Sequence, residues 1–108
     1  VTDVNVNILD GIIDGTISYV EASILFDESE EFFSTVEKTL NEMYVPAQFV
    51  EYHKTYTNSM RYAKEASALT SKGLLYYDLD LIKQGTSKIL QANSEMDRAN
   101  NILEQINA

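Results

Sequence analysis

The sequence predicts an all-α fold: an antiparallel up-down-up bundle of three long helices, or of four if the first helix breaks near residues 27–31. Three observations carry this. Apolar residues recur at alternating steps of three and four through nearly the whole chain, as one face of a helix requires. There are only four Gly and one Pro in 108 residues, too few turn formers to punctuate a many-stranded sheet. The length suits one core and no more, so residues 1–108 are read as a single domain.

The first stripe contains Ile8, Ile12, Gly15, Tyr19, Ala22, Phe26, Ser29, Phe33, Val36, Leu40 and Met43. It keeps its phase through the acidic segment Asp27 to Glu31, which predicts one helix from about Asp3 to Tyr44, roughly 60 Å long. In the four-helix variant, Asp27 or Ser29 caps a fresh helix with Glu30 or Glu31 in its first turn.

Pro46 disfavours helical geometry at Val45 and suits a first turn, so the second helix is expected to start near Pro46. Its stripe, Phe49, Tyr52, Tyr56, Met60, Ala63, Ala66, Leu69, Thr70, Gly73, Leu74 and Tyr77, is wide enough for a helix with two neighbours. The next turn is expected at Tyr77 to Asp78, with Gly73 as an alternative C-cap.

Asp78 is a good N-cap for a third helix from about Leu79 to Asn107, whose stripe is Ile82, Gly85, Ile89, Ala92, Met96, Ala99, Leu103 and Ile106. Small residues recur in all three stripes, so close helix approach is expected.

Charge is divided unevenly. Residues 1–51 hold eleven acids against Lys38 alone, while residues 52–108 hold six acids and seven bases, and the net charge is −9. Nucleic acid is excluded as an expected partner, because phosphate binding needs a basic footprint. An anionic membrane surface is disfavoured on the same ground. The apolar region Ile8 to Phe26 is interrupted by Asp10, Asp14 and Glu21, so no transmembrane segment is expected.

No catalytic, cofactor-binding or metal residues are assigned. The repeat Asp10-Gly11 and Asp14-Gly15 lacks the alternating ligands of a calcium loop. Asp27, Glu28, Glu30 and Glu31 place four carboxylates in five residues, but the chain has no Glu-x-x-His pair to complete a di-iron site. They read as a solvated face or as a docking surface for a basic protein partner. His53 is the only histidine and, with Tyr52 and Tyr56, forms a second candidate partner-binding group at the boundary between core and surface.

The second half, through Val45-Pro46, His53, Tyr62-Ala63, Gly73-Leu74, Asp78, Leu81, Gly85, Ala92-Asn93 and Ala99, resembles uncharacterised helical-bundle proteins of archaea and Gram-positive bacteria, often exported or lipid-anchored. The resemblance covers residues 45–108 and contains no catalytic motif. It implies an extracytoplasmic or cell-envelope setting, with Val1 left by removal of a leader. A lipid anchor is not demonstrable, because there is no cysteine.

The expected function is therefore a non-catalytic interaction or ligand-sensing domain. The alternative is a cytoplasmic oligomerising or adaptor bundle, in which a first helix about a dozen residues longer than the others pairs with a second copy.

Overall fold

The computed structural model describes residues 18–108. They form three long helices, α1 (Tyr19–Glu42), α2 (Val50–Tyr76) and α3 (Leu79–Asn107), with a 3₁₀ turn at Ala47–Phe49 leading into α2. No strand occurs among the described residues. The helices pack antiparallel as an all-α bundle in which α2 lies against both α1 and α3.

Helix α1 begins later than the apolar stripe suggests. Ser18 is extended and its side chain accepts a hydrogen bond from Glu21 N–H, satisfying a donor that the first turn would otherwise leave free. A continuous helix from Asp3 is thus corrected at Ser18; the positions expected before it, Ile8, Ile12 and Gly15 among them, lie outside the described residues. At 24 residues α1 is shorter than α2, with 27, and α3, with 29. The adaptor reading's premise of an overlong helix therefore fails for α1.

The acidic segment does not break α1, which runs helical through Asp27 to Glu31. Ser29, the polar member of the stripe, is buried and donates its hydroxyl to Leu25 O at 3.1 Å. A serine bonded one turn back behaves there as a small, internally satisfied side chain. The helix ends at Glu42, two residues short of the expected Tyr44, and Tyr44 is exposed.

Pro46 opens the connection but not α2. The 3₁₀ turn follows it, closed by Phe49 N–H to Pro46 O at 2.9 Å, and the α-helix starts at Val50. The end of α2 is at Tyr77, in the left-handed conformation with φ 54° and ψ 38°, and Asp78 N–H returns to Gly73 O at 2.8 Å. Gly73 is therefore inside the helix and not its cap. Its missing Cβ has a packing role: one built there would stand 2.7 Å from Ile82 Cγ1 and 2.9 Å from Ile82 N. Asp78 then caps α3 by accepting from Asp80 and Leu81 N–H.

Two apolar clusters fill the bundle. Ala22, Phe26 and Leu74, with Leu25 and Ile82 against them, occupy one end. Phe33, Met60, Ala63 and Ala92, supported by Val36, Leu40, Tyr56, Tyr62 and Met96, occupy the middle. Around these the interior is made of small and hydroxylated residues, including Ser23, Thr55, Ser59, Ser67, Thr70 and Ser71. Such residues let backbones approach closely: a Cβ on Gly85 of α3 would lie only 3.2 Å from Ala66 O and Thr70 N of α2 and would overlap Thr70 Oγ1.

Candidate functional site

Polar contacts fasten α1 to α2 at three levels. Nearest the start of α1, Ser23 Oγ–H donates to Ser71 O at 3.0 Å, and Ser71 Oγ lies 3.0 Å from both Ser23 Oγ and Ser23 O. Ser71 Oγ also reaches Asp27 Oδ1. Its single proton goes to the carboxylate, since a hydrogen bond to a charged acceptor is the stronger one. Midway, Lys64 Nζ meets Glu37 Oε1 at 2.7 Å. At the far end His53 Nε2 lies 2.8 Å from Leu40 O. That carbonyl belongs to the last turn of α1 and also accepts Met43 N–H at 3.3 Å, so the imidazole is a second donor at this helix end and its Nε2 carries the proton donated.

Among the described residues, three clefts that border α1 bear on function. The first, about 350 Å³, is lined by Asp27 and Glu30 from α1 and by Ala68, Leu69, Ser71, Lys72, Leu75 and Tyr76 from α2. The second, about 570 Å³, shares Asp27 and Glu30 and continues along α1 past Glu31, Ser34 and Thr35. Together they make one groove with a carboxylate wall on α1 and an apolar wall on α2. Leu75 and Tyr76 are 48 % and 67 % exposed, which leaves large apolar surface open beside the acids.

The third cleft, about 310 Å³, lies toward the other end of α1, between Glu37 and Asn41 on one side and His53, Lys54, Thr57, Asn58 and Arg61 on the other. The residues of its wall are all polar or charged.

The candidate residues from the sequence therefore separate into two places. Asp27, Glu30 and Glu31 line the groove, whereas Glu28 is exposed and lines neither of its parts. Tyr52, His53 and Tyr56 are on the first turns of α2. His53 lines the polar cleft, and Tyr56 packs on the middle cluster with its ring 6.0 Å from that of Tyr52. Leu40, which His53 caps, is nine residues beyond Glu31, about 14 Å along the helix. The acidic group and the aromatic group do not form one site.

Sequence reasoning missed the apolar wall of the groove, Leu75 and Tyr76, and the basic residues Lys54 and Arg61 of the polar cleft. The spacing of Lys54, Thr57, Asn58 and Arg61 was the available signal, because positions i, i+3, i+4 and i+7 share one helix face. Among the described residues no three His, Asp or Glu side chains converge as a metal site. No described helix is long and apolar enough to cross a membrane.

Comparison with protein-family models, with curated proteins and with solved structures finds no match for this chain.

Proposed function

We propose that this chain is a non-catalytic interaction domain whose α1–α2 groove binds a basic, amphipathic protein segment. One observation carries the reading: Asp27, Glu30 and Glu31 face solvent beside the apolar wall of Ala68, Leu69, Leu75 and Tyr76. A helix with Lys or Arg on one edge and Leu or Ile on its face is complementary to both walls, the apolar face supplying affinity and the charges orientation and encounter rate. Lys72, the one cation lining the groove among the described residues, is outnumbered by the three carboxylates.

Among the described residues no nucleophile is assembled with a base, which supports the non-catalytic part. Ser71 donates to Asp27, but His53, the only imidazole, lines a different cleft and is bonded to Leu40 O. A serine without an adjacent base is a weak nucleophile. The reading takes the extracytoplasmic setting implied by the family resemblance.

The test is titration of a Lys/Leu amphipathic helical peptide into the protein by calorimetry, with an acidic peptide of the same apolar face as control. Saturable binding of the basic peptide, weakened by salt and lost on the double charge reversal Glu30→Lys and Glu31→Lys, is expected. Equal binding of both peptides, or binding indifferent to the charge reversal, overturns the reading.

A further inference from the structure

The polar cleft at the far end of α1 has the opposite electrostatic character to the rest of this acidic chain. Lys54, Thr57, Asn58 and Arg61 share one face of α2, and Glu37 and Asn41, one turn apart, line the α1 side. Among the described residues the only carboxylate in the lining, Glu37, is neutralised by Lys64 at 2.7 Å. Lys54 makes no ion pair among the described residues, and Arg61 has only a 4.0 Å approach of its Nε to Glu65. Two cations therefore stand over a volume of about 310 Å³ that, among the described residues, has no unpaired carboxylate in its lining.

Their spacing narrows the ligand. Seven residues of helix separate Lys54 from Arg61, about 10 Å along the axis, so they hold the two ends of the cleft. Asn58 lies between them and Asn41 opposite, amides that both donate and accept. The wall itself is rigidly placed: His53 is fastened to Leu40 O, and Thr57 Oγ1 donates to His53 O at 2.7 Å.

We infer that this cleft is a binding site for a small organic dianion of the dicarboxylate class, one carboxylate on Lys54, the other on Arg61, and a polar middle against Asn41 and Asn58. Arg61 supplies a planar fork for one carboxylate, and Lys54 a mobile ammonium that adjusts to ligand length. This site is independent of the α1–α2 groove and shares no lining residue with it.

The experiment is a heteronuclear NMR titration of the intact protein with adipate as the probe, hexanoate as the monoanion control and inorganic phosphate as the compact-anion control. Saturable shifts centred on Asn41, Asn58 and Arg61 are expected with adipate, with hexanoate and phosphate each about tenfold weaker. Lys54→Gln and Arg61→Gln each weaken adipate about tenfold, while Lys72→Gln, in the groove, leaves it unchanged. Circular dichroism checks that each variant keeps its helicity. The inference is overturned if adipate produces no saturable shift, if hexanoate or phosphate binds as tightly, or if Lys72→Gln weakens adipate as much as Lys54→Gln does.

Discussion

Ser67 and Ser71 lie one turn apart on α2, both buried, yet Ser71 bonds with Ser23 and Asp27 across the α1 seam while the Ser67 hydroxyl has no partner among the described residues. Identical chemistry at equal depth should therefore respond oppositely to truncation. Ser71→Ala removes the hydroxyl bonded to Asp27 Oδ1 and should cost about 1–2 kcal/mol in urea denaturation. Ser67→Ala removes an unsatisfied hydroxyl and improves helix propensity, and should gain about 0.5–1 kcal/mol.

The close approach of Gly85 to Thr70 makes a second prediction. Alanine at an ordinary helix interior is favoured over glycine by about 1 kcal/mol. At Gly85 the new Cβ would overlap Thr70 Oγ1, and overpacking of this kind costs about 1–3 kcal/mol. Gly85→Ala should thus lower the thermal midpoint, and Thr70→Ala in the same chain should recover much of the loss.

His53 is expected to matter for stability through a single hydrogen bond. His53→Ala exposes the last turn of α1 and should cost about 1 kcal/mol, measured by chemical denaturation. His53→Gln, which retains a donor, should cost less. A larger fraying of α1 amides in hydrogen exchange for the alanine variant would locate the effect at that helix end.

Tyr77 carries both a cost and a compensation. Its left-handed backbone is disfavoured by about 1–2 kcal/mol for a side chain with a Cβ, and its ring stands edge-on to Tyr19, centroids 5.4 Å apart. Tyr77→Gly relieves the first and forfeits the second, worth about 0.5–1.5 kcal/mol. The gain from glycine should therefore be larger in a Tyr19→Ala background than in the parent chain, a sign a double-mutant cycle reads directly.

Much of the fold was legible in the sequence because its core repeats with the helix. Ala22, Phe26, Phe33, Met60, Ala63, Leu74, Ala92 and Ala99 were all stripe positions and are all buried. The Asp78 cap and the bounds of α3 followed from local chemistry that needs no tertiary information. What stayed hidden was the hydroxyl-lined part of the interior. Ser23, Ser59 and Ser71 read as solvent-facing on any polarity scale, and their burial depends on a partner from another helix, such as Ala92 O at 2.8 Å for Ser59. The start of α1 was hidden for a related reason: the apolar stripe continues through Ser18, and only the cap geometry ends the helix there. In the candidate sites, sign and position of charge were readable on α1, but the apolar wall opposite was not, because Leu75 and Tyr76 become a wall only when α2 runs antiparallel beside Asp27 and Glu30.

The two seams of α2 differ in what would have to be exchanged to open them. Toward α3, Gly85 sits on the backbone of α2, so parting these helices leaves a void that no solvent molecule enters without losing contacts already made. Toward α1, Phe26 and Phe33 are buried against Leu74, Met60 and Ala63, and around these rings stand hydroxyls, an ammonium, carboxylates and an imidazole on a carbonyl, polar contacts that water can replace. The α2–α3 seam is thus closed by direct backbone approach, and the α1 seam by two buried rings within a set of exchangeable clasps. Parting α1 from α2 therefore does two unlike things at once, exchanging polar clasps for water and baring two aromatic rings to it.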